Sequence, residues 1–159
     1  MIRLRDEKSE KSYPKPPTLL EQDAFMSIQR NADWLMRDFE EILKDHNLSP
    51  AQYNVLRILR TAGPGGMACH EIGERMITRD PDMTRLLDKL EDRELLGRSR
   101  ERQDRRVIRT RISPTGLKLL KELDEPVRSL HRQQLGHLSE KRLRLLVRLL
   151  ESVREQVVR

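Results

Sequence analysis

Along most of this chain apolar residues recur at three- and four-residue steps, but in one stretch the step drops to two. Ile108, Thr110 and Ile112 fall on one side of that stretch, and Arg109 and Arg111 on the other. A period of two is the mark of a strand, and β-branched residues suit its pleated backbone. A lone strand leaves its backbone groups unpaired, so a partner is needed close by. Arg98–Arg102 is the nearest segment able to serve, which makes residues 98–112 a β-hairpin. Everything around it keeps the helical period. The chain is therefore constrained to a set of helices carrying one small hairpin.

Composition agrees. Five aromatics in 159 residues, with 36% apolar and 36% charged residues, suit helices with narrow apolar stripes better than a β-sandwich. The length is enough for one domain with a real core.

The helices can be placed from their punctuation. Thr18 caps the first, whose stripe is Phe25, Ile28, Ala32, Leu35, Phe39 and Ile42. Asn47 ends it. Ser49 caps the next, with Pro50 at the first helical position and Tyr53, Leu56 and Leu59 inward. The Gly63-Pro-Gly-Gly66 run is a break. A short helix over Cys69–Met76 presents Ile72 and Met76. After a turn at Ile77–Arg79, Asp80 caps a further helix whose buried face is Met83, Leu86, Leu87 and Leu90, and Gly97 ends that helical run. Two short helices about a tight turn form a helix-turn-helix. With the hairpin directly behind them, the pattern is a winged helix.

Ser113 caps a helix opened by Pro114-Thr-Gly116, with Leu117, Leu120 and Leu123 inward, and Pro126 is expected to kink or interrupt it. Ser139 caps the last helix, where Leu143, Leu146, Leu150, Val153 and Val157 follow a 3-4-3-4 spacing. That is a coiled-coil-like seam of about two heptads. The first and last helices exceed what a lone winged helix needs, and together they read as a dimerisation layer.

Charge narrows the partner. The formal charge is +6 and the pI about 9.8, which favours an anionic ligand. Residues 97–113 carry seven arginines, no lysine, and only Glu101 and Asp104 in opposition, a local +5. The planar, weakly hydrated guanidinium suits narrow minor grooves and phosphates. The helix before the hairpin is acidic: residues 80–96 hold six acids against three bases, so attraction to DNA must come largely from the hairpin. On that helix the core face leaves Asp82, Thr84, Arg85, Asp88 and Lys89 outward. Thr84 and Arg85, near its start, are best placed to reach base edges, and arginine can pair bidentately with guanine.

Other chemistries find little support. The single cysteine, Cys69, forms no disulfide within the chain. His46, His70, His131 and His137 lack metal-ligand spacing, and no phosphate loop or nucleophile motif is present, so no catalytic residue, metal or cofactor is expected. The first 17 residues read as a flexible arm without a signal-peptide core, and no run approaches the ~20 apolar residues of a membrane span. A cytoplasmic protein is expected.

Four motifs together resemble the MarR family of transcriptional regulators. They are Gln52–Leu59, Thr84–Glu91, the D-x-R of Asp104-Arg105-Arg106, and Ser113–Gly116. The resemblance departs at Ala68, where a Ser or Thr cap is usual, at Gly73, and at Glu94, where glycine commonly stands. It implies a homodimer on a pseudo-palindromic duplex. Residues 48–116 would form the DNA-binding lobe, and 18–47 and 117–159 the dimerisation helices, within one domain over 18–159. It implies that Asp104 orients an arginine at the wing tip. Asp82, Thr84, Arg85, Lys89, Arg98, Arg102, Arg105 and Arg106 are then the expected DNA-binding residues. It also implies a pocket for a small aromatic effector, with Trp34 and Tyr53 as candidates, although dimer packing also accounts for Trp34. The expected function is a DNA-binding regulator, a repressor. A winged-helix protein-interaction module and an RNA-binding protein using the arginine hairpin are the alternatives.

Overall fold

The structure is a computed structural model and describes residues 19–78, 82–100 and 108–157. The chain divides into two units between Trp34 and Leu35. Its elements are α1 (Leu20–Lys44), α2 (Pro50–Ala62), β1 (Met67–Ala68), α3 (Cys69–Arg75), α4 (Met83–Glu91), β2 (Leu96–Arg100), β3 (Ile108–Ile112), α5 (Pro114–Leu135) and α6 (Glu140–Val157). Thr18 and the first 17 residues lie outside the described residues.

The core forms where helical stripes converge. Leu43, Val55, Leu56, Leu59, Ile72, Leu90, Leu120 and Leu123 are fully buried, and Leu87 nearly so. Phe39, Ile42 and Met83 pack against this cluster from its edge. Full burial of such side chains contributes about 1.5–3 kcal/mol each.

Helix ends follow local rules. Ser49 and Gln52 form a reciprocal capping box at the start of α2, with Pro50 in the first turn. At the start of α3, Ala68 has no side-chain oxygen to offer. Half of the box survives, because the Glu71 carboxylate accepts the Ala68 N–H at 2.6 Å. The expected Asp80 cap lies outside the described residues, and α4 begins later than expected: Asp82 caps it, accepting the Arg85 N–H at 3.1 Å.

Helices α1 and α4 end in the same way. Leu48 N–H bonds Leu43 C=O and Asn47 N–H bonds Lys44 C=O; Leu95 N–H bonds Leu90 C=O and Glu94 N–H bonds Glu91 C=O. These are Schellman turns, each with a pair of buried leucines across it and one left-handed residue, Asn47 or Glu94, both at φ 54°. The helical run therefore stops near Glu91 and not at Gly97, which lies inside β2. Arg93, within the second turn, donates to the carbonyls of Asn47 (2.6 Å) and His46 (3.0 Å), and so joins the two helix ends.

The hairpin is present, with its first strand placed earlier than expected. β2 spans Leu96–Arg100, so the first strand begins two residues earlier than expected, and it pairs antiparallel with β3, Arg98 opposite Thr110. β1, not expected from sequence, pairs on the other edge of β3, giving the order β1-β3-β2. Thr110 is buried and Ile112 half-buried, while Ile108 stays 49% exposed, so the alternating face is buried only at its inner end. Gly66, at φ 64°, brings the loop so close to β3 that a Cβ there would lie 2.5 Å from Thr110 O.

α5 departs from expectation twice. It continues through Pro126, whose ring lies on the exposed side, where solvent can satisfy the carbonyl that loses its partner. Leu117 is exposed, and Gly116 takes the inward position one step earlier. The buried face is Gly116, Leu120, Leu123, Val127, Leu130 and Gln134. A Cβ on Gly116 would stand 2.2 Å from Leu95 O, so only glycine lets α5 lie against the turn after α4. Along α6 Leu143 is half-buried and Leu146, Leu150 and Val153 are exposed, at 38%, 41% and 53%. In the other unit Phe25, Ile28 and Trp34 are exposed as well.

Candidate nucleic-acid interface

α4 is fixed on three sides before its outer face is reached. Its inner face is in the core, Asp82 closes its first turn, and the Schellman turn with Arg93 closes its last. What remains outward is Thr84, Arg85 and Lys89, all exposed, as the apolar spacing predicts. Beside them a groove of about 390 Å³ runs to the start of α2, lined by Ser49, Gln52, Asp82, Arg85 and Lys89 among others.

The acidity of this segment has a structural explanation that sequence did not give. Asp82 accepts a backbone N–H at the positive end of α4. Asp88 and Glu91 both bind the Arg98 guanidinium. Glu91 accepts the Arg98 backbone N–H at 3.0 Å and its Nε at 2.8 Å. The hydrogen bond from the Arg98 side chain holds the Glu91 carboxyl below the usual range, and the same bond raises the guanidinium further. Asp88, expected on the outward face beside Arg85, is thus bound to Arg98.

The other described arginines of the hairpin divide by position. Arg109 NH1 binds Glu71 at 3.0 Å, tying β3 to α3. The Glu71 carboxyl is held low, first by the Ala68 N–H and further by Arg109. Arg111 donates to Pro64 O (2.9 Å) and Ser99 Oγ (2.7 Å), pinning the glycine loop to the sheet. Arg100 is exposed at the outer end of β2. Arg102, Arg105 and Arg106, with Asp104, lie outside the described residues. The base of the hairpin thus uses its arginines as braces, where sequence reading assigned Arg98 to DNA. The signal was faint: Glu91 and Arg98 are seven residues apart across a turn, a pairing no helical or strand period suggests.

The remaining candidates lie elsewhere. Tyr53 is buried, in van der Waals reach of Phe39 (ring centroids 5.4 Å apart) and under the Arg57 guanidinium (5.8 Å). Burial raises its phenol pKa. It borders a cavity of about 490 Å³ with Arg57, Arg60, Asp124, Val127 and His131 among its walls. Arg60 is tied to Asp124 at 2.9 Å there. Trp34 is 46% exposed at the end of the first unit. Cys69 is exposed at the start of α3. Among the described residues no group of three or more His, Cys, Asp or Glu side chains is placed to hold a metal ion, and no helix is long and apolar enough to cross a membrane.

Comparison with known proteins places this geometry. The MarR family profile matches residues 48–108. A crystal structure of a MarR transcription factor from Planctomyces limnophilus is 43% identical, with 86% of this chain and 98% of that chain covered and a TM-score of 0.65. HTH-type transcriptional regulator MhqR of Bacillus subtilis is 33% identical over 49% of this chain, and the chain spans 52% of its length. A mutant MarR from E. coli complexed with operator DNA shares the fold, at 21% identity, coverage of 86% and 99%, and a TM-score of 0.74.

Proposed function

The chain belongs to the MarR family, and from that premise we propose that it is a sequence-specific duplex-DNA-binding transcriptional regulator, a repressor, working as a homodimer in the cytoplasm, and not an enzyme. One observation carries the reading. α4 presents Thr84, Arg85 and Lys89 outward while its own carboxylates at 82, 88 and 91 are engaged within the fold. An acidic helix is thereby made compatible with a polyanion. Thr84 and Arg85 read bases, Lys89 meets phosphate, and Arg102, Arg105 and Arg106 extend the contact from the hairpin, with Asp104 orienting Arg106 in the minor groove. Two such lobes in a dimer meet half-sites about one helical turn apart, which makes the operator pseudo-palindromic.

The exposed apolar positions of α6 support the dimer. The cavity beside Tyr53 supports an effector site: its apolar wall and its guanidinium groups suit a small aromatic acid. Binding there releases DNA to the extent that the effector prefers the DNA-incompetent form.

Selection of bound duplexes from a random pool, followed by competition, tests the reading. A recovered inverted repeat that neither scrambled duplex nor structured RNA displaces is the expected result. Equal displacement by RNA would establish an RNA-binding protein, and failure to recover any duplex would leave a protein-interaction module.

A further inference from the structure

Arg98 begins the arginine-rich segment, yet its contacts differ from those of a phosphate ligand. Its backbone N–H, Nε and one terminal nitrogen all donate to α4 carboxylates, Glu91 and Asp88. These two stand three residues apart, one turn along the same helix face. The Arg98 side chain is only 26% exposed. One positive charge between two negative ones leaves the cluster net negative, which repels a phosphate. The planar guanidinium fork matches paired carboxylates in a way an ammonium cannot.

The geometry points to Arg98 as a positioning residue, a strut between α4 and β2 that contacts no DNA and sets the angle at which the recognition helix and the hairpin meet it. This inference rests on the DNA-binding reading above and refines it. α4 ends at Glu91 and β2 begins at Leu96, so only the Schellman turn joins them covalently. A turn fixes where the next strand starts but resists twist weakly. Arg98 lies inside β2 and grips two successive turns of α4, so it opposes rotation of one element against the other. An apolar contact at this half-exposed edge would pack without fixing direction, whereas a forked set of hydrogen bonds has one geometry.

The test uses the full chain, a duplex selected by the wild type from a random pool, and a random-sequence duplex at two salt concentrations. Arg98→Gln and Glu91→Gln are each expected to lower the ratio of selected to random affinity by about tenfold. The double variant should be no worse than either single one, and Arg98→Lys should recover part of the loss. The sign for Glu91→Gln is decisive, because the protein becomes more positive and plain attraction predicts tighter binding. Arg98→Gln should also leave the salt slope on random DNA unchanged, since no phosphate contact is removed.

Tighter binding of the selected duplex by Glu91→Gln overturns the inference. So does a slope lowered by about one per half-site in Arg98→Gln, or a lowered melting temperature with an unchanged affinity ratio. If the wild type selects no duplex, the DNA-binding reading fails, and amide exchange judges the strut alone. Arg98→Gln must then lose protection across α4 and β2 while α5 keeps its own; unchanged protection in α4 and β2 overturns it.

Discussion

Helices α4 and α6 each carry a leucine-rich face, and the two faces differ in cover. In α4, Leu86, Leu87 and Leu90 are 8%, 1% and 0% exposed. In α6, Leu146, Leu150 and Val153 lie between 38% and 53% exposed in the single chain. Spacing alone does not separate them, because a stripe at three- and four-residue steps says that a face needs cover and not what supplies it. Width does. The α4 face is a narrow stripe closed by its own lobe. On α6, Leu143, Leu145, Leu146, Val147, Leu149, Leu150 and Val153 spread over roughly 200° at 100° per residue, more than one neighbouring helix covers.

The largest effect should come from charging the open face. Leu146→Glu with Leu150→Glu should raise the dimer dissociation constant by more than about a hundredfold, because four buried leucines per dimer contribute about 1.5–3 kcal/mol each. Sedimentation velocity measures this. A wild type that stays monomeric at micromolar concentration would show that α6 is covered by something other than a second copy.

Next comes the closed face. Leu87→Ala should lower stability by about 2–5 kcal/mol in chemical denaturation. A loss below 1 kcal/mol would mean that the lobe repacks as freely as a surface. Gly116→Ala tests the close contact where α5 crosses the turn after α4. Its added methyl meets Leu95 O, a backbone atom with little room to yield, so about 1–3 kcal/mol should be lost. A neutral result would mean that α5 can stand off from the turn.

Glu94→Gly should stabilise by about 0.5–1 kcal/mol, since glycine takes the left-handed conformation without side-chain strain, offset in part by its freer unfolded chain. Thermal melting reads this. Acid gives the subtlest test. Glu91 is held below its ordinary 4.5, so its contribution is complete above that value and disappears as pH falls through the lower folded pKa. The stability gap between wild type and Glu91→Gln should therefore narrow as pH drops below 4.5. A constant gap would locate the effect in packing.

Much of the lobe was legible beforehand, for reasons visible in particular residues. Ser49-Pro50, Asn47 and the α4 leucines follow local rules strong enough to survive tertiary context. Glu94 itself did not mark the turn, because glutamate is a good helix former; only the resemblance, which puts glycine there, pointed to it, and the Schellman hydrogen bonds with the Leu90–Leu95 pair hold it left-handed. β1 is two residues long, too short to show a period. Leu117 was misplaced because the inward position before Leu120 belongs to a glycine, which no hydrophobic pattern marks. At the interface, the outward set on α4 followed from its stripe. The division of arginines into braces and exposed groups did not, since it depends on which carboxylates the fold brings opposite them.

Arg93 has a consequence of a mechanical kind. Its guanidinium holds two carbonyls at the end of α1, and its own backbone lies in the turn that ends α4. Hydrogen bonds of this type tolerate only about half an ångström of stretch. A displacement at Asn47 larger than that must either break the clamp or carry the end of α4 with it. The junction therefore transmits movement with little backlash: small shifts pass from one helix end to the other, and only a shift that snaps the clamp leaves the recognition helix behind.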